Sequence, residues 1–217
     1  MNTKFLLGVV VGSVVALGGV WAYKSWCGEC MSSKNEASAK AEVGAPAPNF
    51  SLVNQNGENI ALSDAIETGP VVLEWFNKEC PYVKKFYDVG EMQRLQNAYS
   101  SQGFTWMRVI SSAPGKQGHL NQEEAQMSHN NSRADHTLLD PAGDVGRMYG
   151  AKTTPHMYVI NGEGVLVYAG AIDSIRSTDS DDIMKAENYV VNALEAIQNG
   201  TAIETSVTEP YGCSVKY

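Results

Sequence analysis

Hydrophobic and polar positions divide the chain into stretches that follow different rules. Residues 5–23, FLLGVVVGSVVALGGVWAY, carry no charge and only Ser13 as a polar side chain. As a helix this run rises about 28 Å, close to the hydrocarbon thickness of a bilayer. Lys4 precedes it, and Trp21, Tyr23 and Lys24 follow as interfacial residues would. Residues 1–24 therefore read as a membrane anchor (a transmembrane helix) or as a signal peptide cut after Ala22. Both readings put the rest of the chain outside the cytoplasm, membrane-anchored or secreted, on the periplasmic side. Residues 25–46 are small, polar and of mixed charge with no apolar period, which predicts a flexible linker.

From residue 47 onward short β-rich runs alternate with helical periodicity. Residues 49–53 and 60–62 flank Asn56-Gly57, a hairpin signal. Residues 71–76 form a β-branched and aromatic strand behind Gly69-Pro70. Residues 81–101 predict one helix, with Val83, Phe86, Tyr87, Met92, Leu95 and Tyr99 at three- and four-residue spacing. Strands are expected at 104–110, 137–139, 156–160 and 165–170, the last two joined around Asn161-Gly162. Helices are expected at 122–130, 143–149 and 181–198, with the acids Asp179 to Asp182 capping the last. A β-α-β half followed by a β-β-α half implies an α/β domain over residues 47–200. Its central mixed β-sheet is flanked by helices on both faces, and residues 201–217 remain as a C-terminal tail.

Composition narrows the function. The 16 basic against 24 acidic residues give a net charge of −8, which argues against nucleic acid and acidic surfaces as partners. Four cysteines in 217 residues are too few for a disulfide-stapled scaffold. The four histidines lack ligand spacing and no phosphate loop or Gly-x-Ser-x-Gly exists, so neither metal nor cofactor is expected.

Chemistry concentrates at Cys80. It follows the predicted strand at 71–76 and is followed at once by Pro81, which is at home in the first position of a helix. A sulfur at that helix start faces unpaired N–H groups and the positive end of the dipole, which favours the thiolate. Lys84 and Lys85 add positive charge one turn on.

The stretches GAPAPNFSL, VVLEWFNKECPYVKKF, LLDPAGDVGRMYG and KTTPHMYVI together resemble the thioredoxin-like superfamily, in its peroxiredoxin-like redoxin branch. The resemblance spans about residues 44–194. It implies a thioredoxin-like fold with Thr154-Pro155 as a cis-proline turn beside Cys80, holding substrate backbone, and His156 next to it. It also implies that Glu74, six residues before Cys80, is a buried acid able to move protons. Val83 stands where a thioredoxin keeps its second cysteine. Leu73 and Asn77 stand where a peroxiredoxin keeps its proline and threonine.

Two further features bear on a redox role. Cys213 in the tail PYGCSVKY can resolve an oxidised Cys80 if the tail docks, or remain a free thiol if it does not. Cys27 and Cys30, in WCGEC, are a candidate redox pair without a preceding strand. The expectation is an exported thiol oxidoreductase that takes a disulfide or peroxide substrate and a thioredoxin-like thiol donor. The alternative is a non-catalytic module of the same fold that captures a partner protein or a metal.

Overall fold

The structure, a computed structural model, describes residues 40–217. The apolar run at 5–23 and the pair Cys27 and Cys30 lie outside the described residues. Among the described residues no helix is long and apolar enough to cross a membrane.

The chain runs β1 (Ser51–Asn54), β2 (Asn59–Ala61), α1 (Leu62–Thr68), β3 (Val71–Trp75), α2 (Pro81–Tyr87), α3 (Glu91–Ser100), β4 (Thr105–Ile110) and α4 (Gln122–Asn130). It continues through β5 (His136–Leu139), α5 (Asp144–Tyr149), β6 (Thr153–Thr154), β7 (His156–Ile160), β8 (Leu166–Gly170), α6 (Tyr189–Asn199) and β9 (Cys213–Ser214). Seven strands form one mixed sheet in the order β2-β1-β5-β4-β3-β7-β8, and β6 pairs separately with β9. β3, β4 and β5 are mutually parallel. β7 joins β3 antiparallel, and β1 joins β5 antiparallel.

The apolar run of β3 follows from its central place, since a strand covered on both faces has no polar side to show. Val71, Leu73 and Trp75 pack with Phe50, Leu62 and Tyr158 on one face. Val72 packs with Phe86, Leu95, Trp106 and Leu194 on the other. Each such fully buried side chain contributes about 1.5–3 kcal/mol. The exception is Glu74, whose register partner on β4 is Arg108, and both are buried.

Three helices differ from expectation: α1 (Leu62–Thr68) falls where no helix was expected, and two others have different bounds. The helix expected over 81–101 is broken into α2 and α3 by Gly90, which turns the chain with φ 76°. The apolar period survives the break because Val83, Phe86, Met92, Leu95 and Tyr99 all remain buried. The helix expected from 181 starts only at Tyr189, where the Asn188 side chain accepts from Val191 N at 3.0 Å. The acids upstream do not cap it. Asp179 caps a separate 3-10 turn at Ser180–Asp182, and Asp182 pairs with Lys185 at 2.9 Å.

Candidate active site

β3 stops at Trp75, and a four-residue loop carries the chain to Cys80. Asn77 shapes that loop, accepting from Glu79 N at 2.9 Å through its side chain and from Cys80 N at 3.1 Å through its carbonyl. Cys80 is the N-cap of α2 in an extended conformation, with Pro81 in the first turn. Proline there forfeits no helical bond. The Cys80 side chain is fully buried, and its Sγ donates to the Thr154 carbonyl at 2.9 Å. The Thr154–Pro155 bond is cis. Because His156 is paired with Trp75 in the β3–β7 register, this turn stands at the C-terminal end of β3, beside Cys80.

The tail docks along its length. β9 pairs antiparallel with β6 so that Cys213 faces Thr154 and Ser214 faces Thr153. Gly212 has φ 141°, and a Cβ there would collide with the Thr154 carbonyl, so only glycine lets the two strands close. Val215 N donates to Lys152 O at 3.0 Å, and Ala113 N to Lys216 O at 2.8 Å. Tyr217 seats its ring on Gly143 and Gly146, under the Arg147 guanidinium at 4.7 Å, and donates to Ala151 O at 2.7 Å. Burial first, then the neighbouring Cys80 sulfur, push the Cys213 thiol up to about 11, while Lys216 opposes them.

The lysines after Cys80 are not equivalent. Lys84 is exposed, but Lys85 is buried and its charge is taken up by Asp173 at 3.1 Å. Lys85 also donates to Ile175 O at 3.2 Å, and the Tyr211 hydroxyl donates to the other Asp173 oxygen. Expecting both lysines to bias the sulfur therefore needs correction. Lys85 instead ties α2 to the loop after β8 and, through Asp173, to Tyr211 in the tail. Asp173 and Tyr211 carried no sequence signal, being polar residues in unpatterned segments.

Glu74 is buried under α2 and α3. It accepts from Tyr87 Oη at 2.9 Å, Trp106 Nε1 at 2.9 Å and Gln96 Nε2 at 3.3 Å. Burial raises its pKa, against the Arg108 charge and the three donors. None of its bonds reaches Cys80. His156 is buried, next to Lys152 N at 3.3 Å and Tyr158 Oη at 3.1 Å. Burial, with Lys152 assisting, lowers its pKa to about 3, so it is neutral at physiological pH. Arg108 was missed, although it is the lone charge in the apolar strand TWMRVI; Glu74 was found through the family resemblance.

A mixed sheet that delivers a cysteine to a helix start, against the carbonyl that precedes a cis-proline, defines a thioredoxin-like redox protein. The sequence profile of the AhpC/TSA family matches residues 43–169, more than half of the chain. The chain belongs to the AhpC/TSA family, and its activity is thiol-based oxidoreduction. No curated protein matches the sequence significantly. A hypothetical protein from Sinorhizobium meliloti 1021 superposes with TM-score 0.69 at 20% identity, over 82% of this chain and 96% of its own. An uncharacterized conserved protein from Geobacillus kaustophilus gives 0.70 at 23% identity, over 81% and 92%. Peroxidoxin BcpB from Mycobacterium tuberculosis gives 0.52 at 18% identity, over 73% and 97%. At such identities the likeness establishes the fold.

Proposed function

We propose that the protein is an exported thiol–disulfide oxidoreductase in which Cys80 is the nucleophile and Cys213 the resolving thiol. The observation that carries this reading is the β6–β9 register, with Cys213 opposite the residue whose carbonyl binds Cys80. The Cys80 thiolate attacks one sulfur of a substrate disulfide, and the other sulfur leaves as a thiolate. The Cys213 thiolate then attacks Cys80 Sγ in the mixed disulfide, expelling the second substrate thiol and leaving a Cys80–Cys213 disulfide. Two electrons pass from the protein dithiol to the substrate, and an external dithiol of the thioredoxin-like kind restores them.

The order of attack has a physical basis. With its thiol pushed up to about 11 beside Cys80, Cys213 stays protonated near neutral pH. Capture of Cys80 in a mixed disulfide removes the raising influence of its neighbouring thiol group. Burial and Lys216 are then left to oppose each other, and the resolving thiol becomes more acidic when it is needed. Thr154 and Pro155 hold the substrate backbone in this reading, so the tail must give way for substrate to reach the buried sulfur. Peroxide cleavage needs groups that polarise the leaving oxygen. Asn77 is committed to the loop and Leu73 to the core, which supports disulfides or sulfenic acids over hydrogen peroxide. Export rests on the apolar run at 5–23.

Intact-mass analysis after mixing with an aromatic disulfide tests the reading. Cys213→Ser should accumulate a stoichiometric Cys80 adduct, the wild type an internal disulfide, and Cys80→Ser neither. Turnover by Cys80→Ser, or unimpaired turnover by Cys213→Ser, would overturn it. A fast peroxide reaction that depends on Cys80 would make the protein a peroxidase instead. Inertness of Cys80 towards both oxidants would leave a binding module.

A further inference from the structure

Arg108 is 1% exposed and has no carboxylate partner. None of the ion pairs among the described residues includes it. Its Nε and Nη2 donate to the neutral Thr137 Oγ1 at 3.0 and 2.6 Å, and Nη1 has no acceptor among the described residues. The Phe76 ring covers the guanidinium at 4.4 Å, with the Tyr87 ring further off at 5.9 Å. Glu74, its register partner, is not within ion-pair distance, and its oxygens already serve Tyr87, Trp106 and Gln96. A buried charge without a counter-ion is strongly unfavourable unless something else meets it.

Arg108 lines a cavity of about 600 Å³ between α2 and α4, within the usual range for small-ligand sites. Phe76, Val83 and Met127 supply apolar wall, and the exposed Lys78 and Lys84 add positive charge. Two acids, Asp88 and Glu124, share the lining. Glu124 is turned back onto Asn121 N at 2.9 Å. One bidentate cation with acids nearby suits a planar monoanion better than a doubly charged phosphate.

We infer that this cavity binds an organic carboxylate with an apolar body, anchored by the free edge of Arg108. Neither Cys80 nor Cys213 lines it, so the site stands apart from the redox reading. Its walls Phe76 and Val83 nevertheless pack in the same cluster as Cys80, which puts a bound ligand close to the sulfur's surroundings.

Titration calorimetry of the full-length reduced protein with 4-phenylbutyrate and with its amide tests the site. The acid should bind with a dissociation constant around 1 mM, typical for a ligand of this size. The amide should bind at least about ten-fold more weakly, since it lacks the charge-assisted pair. Arg108→Met should lose at least about ten-fold for the acid and nothing for the amide. Arg108→Lys keeps the charge without the fork, should fall between, and decides the matter if Arg108→Met does not fold. Cys80→Ser should bind as wild type does, which separates this site from the redox reading. Equal binding of acid and amide, unaltered binding by both Arg108 variants, or no binding of the acid at about 20 mM would overturn the proposal.

Discussion

Lys85, on α2, and Arg108, beside it on β4, are both buried, and their surroundings treat the charge in opposite ways. Lys85 meets a carboxylate, a backbone carbonyl and the faces of Phe86 and Tyr211, and the carboxylate is held in turn by the Tyr211 hydroxyl. On that flank the charge is fully partnered, and Tyr211 of the tail bearing Cys213 lies against it. Arg108 meets one threonine hydroxyl and two aromatic rings, and it opens on a cavity. A fully partnered buried charge is a joint between segments. One left without a counter-ion costs stability that a structure keeps only for some other use.

The largest expected effect is on the partnered flank. Asp173→Asn leaves Lys85 buried without its anion, and chemical denaturation should show a loss of about 3–5 kcal/mol. A loss below about 1 kcal/mol would mean that Lys85 escapes to solvent and the joint is not one. Next comes the tail. Gly212→Ala forces a Cβ against the Thr154 carbonyl, an overpacking of about 1–3 kcal/mol that releasing β9 relieves. Each 1.4 kcal/mol by which opening becomes easier is about ten-fold in exposure of Cys80, read as its rate of alkylation. Unaltered alkylation would show that the tail does not gate the sulfur. On the open flank Arg108→Met should shift stability by no more than about 1 kcal/mol, because an unpaired charge is being replaced by an apolar chain. A loss as large as that of Asp173→Asn would erase the contrast.

Signals confined to a few neighbouring residues were legible, and those depending on distant partners were not. The strand, Cys80 and Pro81 are consecutive, so the helix start could be read directly, and KTTPHMYVI marked the turn at Pro155. Lys84 and Lys85 look alike in sequence. Only Asp173, 88 residues on, distinguishes them. β9 is two residues long, and its partner Thr154 lies 59 residues before Cys213. No local pattern encodes such a pairing. Gly90 was hidden because helices on either side of the break keep facing one core, so the apolar period runs on through it.

The last test asks whether Arg108 is truly uncompensated within the fold. Glu74 is the acid opposite it, and two forces compete for that carboxyl. Burial favours the neutral acid, whereas the Arg108 charge and the donors Trp106, Tyr87 and Gln96 favour the anion. Burial prevails, so the folded-state value lies above the ordinary 4.5. A raised value means that the folded protein holds this proton more tightly than the unfolded chain does. Its contribution to stability is therefore complete below pH 4.5 and is lost as pH rises through the folded value. Glu74→Gln keeps an acceptor for the same donors but has no proton to lose. The stability of wild type minus that of Glu74→Gln should consequently fall with increasing pH above 4.5, by at most about 1.4 kcal/mol per pH unit. Other carboxyl groups cancel in the difference. The opposite slope would mean that Arg108 outweighs burial and holds Glu74 ionised. Arg108 would then have its counter-ion inside the fold after all, and the two flanks of α2 would be alike.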